Sequence, residues 1–583
     1  MKTFKKIIFI TFAVTSLLYG GCSKEFLDIK PAGTTETESS FFTDTTNVDA
    51  MVTGVYNAFQ YKDNCDVFDY FRWWMGSVPS DEAECGGDNP TAWAEGYSYD
   101  NFTFSAEAQM VEDVYGTMFN GISRACEVLK YLPEAKSFTG ADINKINIRL
   151  GETYFLRAAF YFVLTRAYGG VPVVDHVLLP SEYKTIARGT IKDDFNLMEK
   201  DLKTAISLLP LESQIAASDK GRASKGAAQA LLAKMYVYES SYNTYYGTTD
   251  VRMGAVQNRW QEAYDLCLEI INSGEYALVG ASGDTYKTFW SYATNGFRYI
   301  FTVEGNNNKE SIFAIQHIFD TGYGIGLGTG LNTFVGARAL YHKDGTLPTE
   351  SDHNWGFWVP THKLDNLYDP LDVRRKVTIG RGPNANTGFV GDSVWGKVSN
   401  KQGWYIMVPT AYPATGLEAM KYEIGPYLGL ITGQWQNNPQ NMYYIRYADV
   451  VLLASEAAMM LNDQTDALKY FNAIRARARN CGNGINPADL TGAVTKKEIM
   501  DEREREFAIE GERFFDLVRW KEAYNVINGT RMEWWDGWNA DGSVSSVVNS
   551  TFSSLSYDDK FNFFPLPSFE TAQNSNLKQY AGW

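Results

Sequence analysis

The stretch Tyr443–Arg479 reads YYIRYADVVLLASEAAMMLNDQTDALKYFNAIRARAR, and its pattern decides the fold of this chain. Its apolar residues recur at the spacing of one helix face, before and after a short polar break. We therefore predict two helices joined by a turn at Asn462-Asp463, with Asp466 capping the second helix through its carboxylate. Such a hairpin buries only one of its sides, so it needs similar hairpins to stack against, as tetratricopeptide-type repeats do.

The helical pattern recurs on both sides of this stretch and indicates more hairpins. It predicts helices at about residues 48–61, 108–132, 145–168, 190–209, 224–239 and 257–272. After the central hairpin, Thr495 and Glu498 form the capping-box pattern that opens a charged helix. We predict that the alternating charges of residues 502–506 form a solvated face with ion pairs inside the helix. With the helix that follows, the sequence predicts about four hairpins.

Two long segments interrupt the helical pattern, at about residues 63–105 and 273–442. The first is rich in aromatic residues, and in the second short strand-like runs alternate with turns. The predicted fold is mainly α, a tetratricopeptide-like scaffold of about four hairpins with long irregular insertions and a few short strands. The scaffold would comprise about residues 47–62, 108–272 and 443–527, followed by a C-terminal segment at 528–583.

The composition excludes several classes of function. The 583 residues carry a formal net charge of −16 and contain no long basic run, whereas binding to nucleic acid needs clustered Lys and Arg. Only five histidines are present, and neither HExxH nor GxSxG occurs. Residues 391–397, GDSVWGK, are close to a phosphate loop, but Val398 replaces the Ser or Thr that would hold magnesium. We therefore expect neither a nucleic-acid partner nor a common hydrolase.

The N-terminus has the pattern of an export signal. Three lysines precede an apolar run at residues 7–18 that is too short to span a bilayer, and Gly20, Gly21 and Cys22 follow. Small residues before a cysteine resemble the lipobox of bacterial lipoproteins, although Tyr19 departs from it. We predict a signal peptide at residues 1–21, a lipid on Cys22 and a single domain at 22–583. Ordinary secretion with cleavage nearby is the alternative.

The other cysteines do not form a recognisable site. Cys65, Cys85, Cys126, Cys267 and Cys481 are an odd set without CxxC spacing, so zinc-ribbon and thioredoxin chemistry are unsupported. An oxidising compartment would permit a bridge between Cys65 and Cys85. We nevertheless predict buried free thiols, which are common in proteins of this size.

Several separated stretches carry motifs in a recognisable order. They are CSKEFLDIKP at 22–31, LRAAFYFVLTRAYGGVPVV at 156–174, SKGAAQALLAKMYVYES at 224–240, RYADVVLLASEAAM at 446–459, FNAIRARA at 471–478, EREREFAIEGERFFDLVRW at 502–520 and FNFFPLPSFETAQNSNLKQY at 561–580. Together they resemble the SusD/RagB family of outer-membrane glycan-binding lipoproteins. The resemblance implies a scaffold of four tetratricopeptide-like hairpins that carries ligand loops at the cell surface. It also implies a SusC-like TonB-dependent outer-membrane transporter as the partner that receives the captured glycan.

Glycan binding makes the loop aromatics the candidate ligand residues. A pyranose ring has a face of C–H bonds and an edge of hydroxyls, so proteins bind it with a flat aromatic ring and with polar side chains. Trp73 and Trp74 lie within a helical pattern and are expected in the core. Trp93 lies beyond Ser80-Asp81-Glu82, where similar family members carry an aromatic near the ligand. The candidate ligand residues are Asp81, Trp93, Trp290, Tyr292, Tyr323, Trp355 and Trp358.

Two other functions remain open at this level. The many carboxylates could include a glycosidase pair, whose separation in space is not readable from one sequence. In a tetratricopeptide adaptor that binds a peptide or protein, the insertions would have no role in binding. We predict a binding protein rather than an enzyme, with no catalytic residues, no metal ligands and no cofactor, while calcium ordering of a loop stays open.

Overall fold

The computed structural model of the protein describes residues 45–60, 66–87, 92–134, 141–247, 249–286, 294–319, 328–336, 340–342, 355–381, 393–398, 401–407, 415–422, 438–530, 533 and 554–583. Its helices up to residue 273 are α1 (Thr45–Tyr56), α2 (Val67–Tyr70, continued by the π-helix Phe71–Ser77), α3 (Ala94–Asp100), α4 (Gln109–Tyr131), α5 (Ala141–Tyr168), α6 (Ile191–Leu208), α7 (Lys225–Tyr245) and α8 (Trp260–Ser273). The later helices are α9 (Gly296–Tyr299), α10 (Leu331–Val335), α11 (His362–Leu367), α12 (Val373–Thr378), α13 (Tyr447–Met460), α14 (Gln464–Cys481), α15 (Lys496–Phe507), α16 (Arg513–Arg519), α17 (Ala523–Ile527) and α18 (Ser568–Gln573).

Helices that follow one another in the chain pack against one another, which confirms the mainly α, hairpin-based prediction. Helix α5 packs on α4 and α6, α7 packs on α6 and α8, and α13 packs on α8 and α14. Small residues make these approaches possible, because Ala454, Ala457 and Ala458 of α13 are fully buried. The central hairpin α13–α14 therefore lies within the stack, with helices on both of its sides.

Side-chain caps fix where several scaffold helices begin. Thr190 and Asp193 form the predicted capping box at the start of α6, and Ser224 caps α7 by accepting from the Ala227 N–H. The turn between α13 and α14 differs in detail from the prediction, because the carboxylate of Asp463 accepts from the N–H groups of Thr465 and Asp466. Asp463 is therefore the cap, and the prediction of Asp466 was wrong by three residues.

The charges of α15 contradict the predicted solvated face, because residues 502–506 are all buried. The Glu506 carboxylate accepts from Arg446 at 2.7 Å and from Arg374 at 3.1 Å, and it also binds Arg477. These arginines belong to three other elements, the strand Met442–Arg446, helix α12 and helix α14. Helix α15 thus lies between the scaffold and the second insertion, and its charges are satisfied by buried partners rather than by water.

A second cluster of buried ion pairs joins α15 to its neighbours in the scaffold. Arg503 donates to Asp449 of α13 and to Asp516 of α16, each at 2.7 Å. Lys234 of α7 also reaches Asp449, at 2.9 Å. Four helices therefore meet at one charged cluster, which fixes their relative positions.

The insertions contain short strands in small antiparallel sheets. The strands are β1 (Ala83–Gly86), β2 (Thr285–Tyr286), β3 (Thr294–Asn295), β4 (Ser311–Ile315), β5 (Leu340–His342), β6 (Phe357–Pro360), β7 (Ile379–Arg381), β8 (Ser393–Val398), β9 (Lys401–Met407), β10 (Leu417–Ala419) and β11 (Met442–Arg446). Strand β1 pairs with β6, β2 with β3, β4 with β11 and β7 with β10, while β9 lies between β5 and β8. The β1–β6 pair joins the two insertions, because each contributes one strand.

Among the helices that the structure describes, none has the length and apolar character needed to cross a bilayer.

Candidate functional site

Two stacked tryptophans form the floor of the candidate site. Trp73 and Trp74 lie in the π-helical continuation of α2, are fully buried, and stack with ring centroids 4.0 Å apart. This confirms the sequence-based expectation that both belong to the core. A π-helix widens the turn and is frequent at functional sites, and here it places two neighbouring indoles in the buried part of the first insertion.

Trp93 covers this floor and is half-buried. It precedes α3, and its indole lies 5.0 Å from Trp74 and 5.4 Å from Trp73, in each case edge to face. Edge-to-face contacts of this kind are favourable because the positive edge of one ring meets the negative face of the other. One part of Trp93 is therefore fixed against the core while the rest remains accessible.

Trp355 lies beside Trp93 on the surface, and Phe334 of α10 connects the two. The Trp355 side chain is 39% exposed, and its ring lies 4.6 Å from Phe334 at an angle of 76°. The Phe334 ring in turn lies 5.5 Å from Trp93 at 45°. The Trp355 N–H donates to the carbonyl of Thr333 at 2.7 Å, which fixes the backbone of the exposed tryptophan. Phe334 itself is buried. We call the accessible Trp93 and Trp355, together with the Phe334 ring that both contact, the aromatic surface.

The end of the β1–β6 pair supports the aromatic surface from below. Gly87 has a φ of 87°, and its N–H donates to the carbonyl of Gly356 at 2.8 Å. A Cβ on Gly87 would overlap the Phe357 ring, so glycine is needed for this close approach. Phe357 then reaches the Trp93 ring at 5.5 Å. Neither Phe334 nor Phe357 was singled out in the sequence, because their role depends on contacts between distant segments.

Trp358 is not on the surface, and the prediction that it contacts a ligand was wrong. It is fully buried, stacks on Trp73 with centroids 6.3 Å apart and on Tyr422 at 5.7 Å. Its φ of 57° lies in the left-handed region, which bulky residues rarely occupy. Trp355 and Trp358 are three residues apart on one segment, yet only the first is accessible.

Asp81 is engaged by basic residues of the protein itself. Its carboxylate accepts from the Nε and an Nη of Arg513 at 2.8 and 2.9 Å, and it also pairs with Lys363. Only 5% of the Asp81 side chain is exposed. It joins the first insertion to α16 and α11, and this arrangement gives no support for contact with a ligand.

Trp290, Tyr292 and Tyr323, as well as the predicted lipidation site Cys22, lie outside the described residues. Cys85, Cys126, Cys267 and Cys481 are buried free thiols. Within the described ranges, no group of three or more His, Cys, Asp or Glu side chains is arranged to hold a metal ion.

Comparison with known proteins places this fold in a family. A sequence model described as the SusD family matches residues 309–583, and another, described as starch-binding associating with outer membrane, matches residues 25–237. The chain belongs to the SusD family. The resemblance indicated by the sequence motifs is therefore confirmed over most of the chain.

Full-length relatives of the SusD family support this assignment. A SusD-like protein of Bacteroides ovatus is 25% identical over 586 residues, covering 98% of this chain and 93% of the relative. A SusD homologue from Bacteroides thetaiotaomicron has a TM-score of 0.71 at 19% identity, covering 94% of this chain and 99% of that one. Surface glycan-binding protein A from the same species, in complex with laminarihexaose, has a TM-score of 0.66 at 22% identity, covering 92% and 99%. These structures share the SusD fold.

Beneath the aromatic surface, this SusD-family protein contains several buried carboxyl groups with raised pKa values. Burial raises the pKa of Glu82 to about 8 and that of Asp100 to about 8, because the charged form loses its hydration. Glu82 accepts from the Ser77 hydroxyl, and Asp100 accepts from the Cys85 N–H at 2.8 Å. Glu84 lies between them on β1, and burial with the nearby Asp100 raises its pKa well above the ordinary value. We expect these groups to be largely protonated near neutral pH.

We expect the melting temperature to fall as the pH rises from about 5 to about 9. A carboxyl group with a raised folded-state pKa stabilises the fold at low pH, because the unfolded chain loses its proton first as the pH rises. Thermal unfolding over this pH range is the measurement. A Glu82→Gln/Asp100→Asn variant should show a smaller decline, whereas the exposed Glu107→Gln control should keep it. An unchanged decline in the double variant would show that other groups cause it.

Proposed function

We propose that this protein captures a glycan chain on the aromatic surface and delivers it, without hydrolysis, to a SusC-like TonB-dependent outer-membrane transporter. The observation that carries the proposal is the proximity of Trp93 and Trp355, one half-buried and one exposed, which both contact Phe334. Exposed apolar patches on monomeric proteins commonly mark sites that bind ligands or other proteins. Membership of the SusD family supports glycan as the ligand.

The chemistry of the aromatic surface suits a sugar ring. An indole offers a flat apolar face that matches the C–H face of a pyranose, and rigid rings lose little conformational entropy when they bind. Both tryptophans are held in place, Trp93 by Trp73 and Trp74, and Trp355 by Phe334 and its backbone hydrogen bond. The surface is therefore largely formed before the ligand arrives, which lowers the entropic cost of binding.

The ring angles favour a curved glycan over a flat one. Trp355 makes an angle of 76° with Phe334, and Trp93 makes an angle of 45° with the same ring. The difference of these values, about 31°, is the smallest angle that the planes of Trp93 and Trp355 can form. Two sugar rings that lie against these indoles must therefore be tilted relative to each other. We propose a chain that curves, such as a β-1,3-glucan, and the neighbour solved with laminarihexaose supports this choice.

We expect Trp355→Ala and Trp93→Ala each to weaken glycan binding about tenfold. A contact of roughly 60 Å² between indole and sugar contributes about 1.5 kcal/mol, which corresponds to that factor. Calorimetric titration of laminarihexaose and of cellohexaose measures both the loss and the preference for a curved chain. Phe569→Ala, which removes an exposed aromatic from α18, serves as the control. Unchanged affinity in both tryptophan variants would show that the glycan does not bind at this surface. Release of shorter sugars with turnover would indicate a glycosidase.

We further propose that a lipid on Cys22 anchors the protein in the outer membrane and that the chain faces the cell exterior. The lipobox-like Gly20-Gly21-Cys22 supports this location, as does the match to a family described as associating with the outer membrane. A single acyl chain binds membranes only marginally, so lipoproteins need more than one chain for stable anchoring.

We expect Cys22→Ser to move the protein from the membrane fraction to the soluble fraction in cells that lack the SusC-like transporter. Without the thiol no lipid can be attached, and the described helices offer no membrane span that could replace it. Fractionation followed by immunoblotting measures the shift, with Cys126→Ser as the control. A Cys22→Ser protein that stays in the membrane fraction would contradict lipid anchoring.

A further inference from the structure

A cleft of about 460 Å³ opens on the scaffold, lined by residues other than those of the aromatic surface. Helices α4, α5 and α6 and residues 175–177 form its walls. Its polar lining consists of Lys130, Tyr154, Arg157, Asp175, His176 and Lys200. The volume is within the range of pockets that hold small molecules. The cleft shares no residue with the aromatic surface, so an inference about it does not rest on the proposed function.

Hydrogen bonds fix the shape of this cleft. The Arg157 guanidinium donates to both carboxylate oxygens of Asp201, at 2.7 and 2.8 Å, and to the carbonyl of Asp175 at 2.9 Å. The Tyr161 hydroxyl accepts from the Val174 N–H at 2.6 Å. These bonds hold the segment that follows α5 against the helices. The cleft is thus formed without any ligand.

The lining of the cleft is basic, in a chain whose net charge is −16. Lys130 and Lys200 approach from two different helices, and Asp175 is the only carboxylate among the lining side chains of the described residues. The ring nitrogens of His176 bind Asp175 at 2.9 Å and Glu182 at 3.2 Å, which raises the pKa of the imidazole. Arg157 and His176 are already paired with carboxylates, so the excess positive charge of the cleft comes from Lys130 and Lys200. Positive charge in a concave site concentrates anions near it.

Two groups in the cleft are available to a ligand. Within the part of the chain that the structure describes, the Lys200 ammonium and the Tyr154 hydroxyl make no hydrogen bond or ion pair. Tyr154 is half-buried, and its ring lines the cleft. The Arg157 guanidinium lies 5.8 Å from the centroid of this ring, so a sugar would bind at the part of the ring that Arg157 leaves uncovered. We propose that the cleft is a second ligand site that binds a carboxylate-bearing sugar, with the carboxylate at Lys200 and the sugar ring at Tyr154. Both contacts follow the general chemistry of sugar and anion recognition.

Ligand-observed NMR with D-glucuronate, D-glucose and inorganic sulfate tests this site on the full chain. We expect glucuronate to bind more tightly than the other two, and Lys200→Glu to weaken it by about tenfold or more, because the variant places like charges together. Lys203→Glu reverses the same charge one turn away on α6, outside the cleft lining, and should leave glucuronate binding unchanged. Trp355→Ala should also leave it unchanged, which separates this site from the aromatic surface.

Three results would overturn the proposal. Equal binding of glucose and glucuronate would show that charge plays no part in recognition. Sulfate that binds as tightly as glucuronate would show a site for anions in general rather than for a sugar. Glucuronate binding that survives Lys200→Glu, in a protein with an unchanged melting temperature, would place the ligand elsewhere.

Discussion

Replacing Glu506 by Ala is expected to lower the free energy of unfolding by about 3–5 kcal/mol. Its carboxylate is fully buried and lies among Arg374, Arg446 and Arg477, each of which is also buried. Burial alone would raise the pKa of Glu506, but Arg477, Arg446 and Arg374 together hold it well below its usual range. Arg374 keeps a partner in Asp372, and Arg446 and Arg477 keep one in Glu310. Removing Glu506 nevertheless takes away the acceptor that all three guanidinium groups share, in a site that water does not reach, which is the costly case for a buried ion pair.

Asp501 of the same helix provides a matched control. It forms a surface pair with Lys497, whose side chain is 78% exposed, and such pairs contribute only about 0–1 kcal/mol. Denaturant unfolding of Asp501→Ala and Glu506→Ala therefore compares the loss of a carboxylate at a half-buried surface position with its loss at a fully buried one. If both variants lose the same small amount of stability, the buried cluster does not hold the scaffold and the second insertion together.

The same cluster predicts sensitivity to acid. Arg374, Arg505 and Arg475 oppose the effect of burial on Glu502 and lower its pKa to about 2. A carboxyl group with a lowered folded-state pKa contributes stability above its unfolded pKa and loses it as the pH falls through the folded value. The pKa of Glu506 is lowered in the same way, by Arg477, Arg446 and Arg374. Glu506→Ala removes this group and should therefore reduce the loss of stability between about pH 4 and pH 2.

Trp358→Ala is expected to cost about 3–5 kcal/mol of stability, whereas Trp355→Ala should cost less than about 1 kcal/mol. Trp358 is enclosed by Trp73 and Tyr422, so its removal leaves a cavity that the surrounding rings cannot fill. Trp355 is 39% exposed, and its truncation leaves no enclosed cavity. The pair therefore separates a structural tryptophan from a ligand-binding one within a single segment.

Thermal unfolding and glycan titration of both variants measure this separation. We expect Trp355→Ala to lose affinity while its melting temperature stays close to that of the native protein. We expect Trp358→Ala to melt several degrees lower. Trp358→Phe, which fills much of the same space, should recover part of the stability. Equal stability of the two alanine variants would show that Trp358 does not support the core.

The helical scaffold was predictable because it depends on local regularities. The apolar spacing of Tyr443–Arg479 requires a hairpin whatever the rest of the chain does, and the capping pattern at Thr190 and Thr495 marks helix starts within three residues. The expected helix at about residues 145–168 is α5, Ala141–Tyr168, and the expected helix at 108–132 is α4, Gln109–Tyr131. Differences of this size arise because helix ends are set by caps and neighbours rather than by periodicity.

The candidate site was predictable only in part. Trp93 was favoured because of its place beyond Ser80-Asp81-Glu82, and the structure brings it next to Trp355, another of the candidates. Their common neighbour Phe334 carries no signal in the sequence. Trp358 had the same local signal as Trp355, an aromatic in a Gly-containing loop, but it is buried. A sequence does not show which side of a strand the next layer of the protein covers.

The sequence by itself determined the helical hairpins, their order and the family, since each depends on residues close together along the chain. Only the tertiary structure decided the environment of the charges at residues 502–506 and the separate positions of Trp355 and Trp358. The physical reason is that burial depends on contacts between segments hundreds of residues apart. Arg72 illustrates this, because its guanidinium joins α2 to the carbonyl of Glu510 at 2.8 Å and to the hydroxyl of Tyr422 at 2.6 Å.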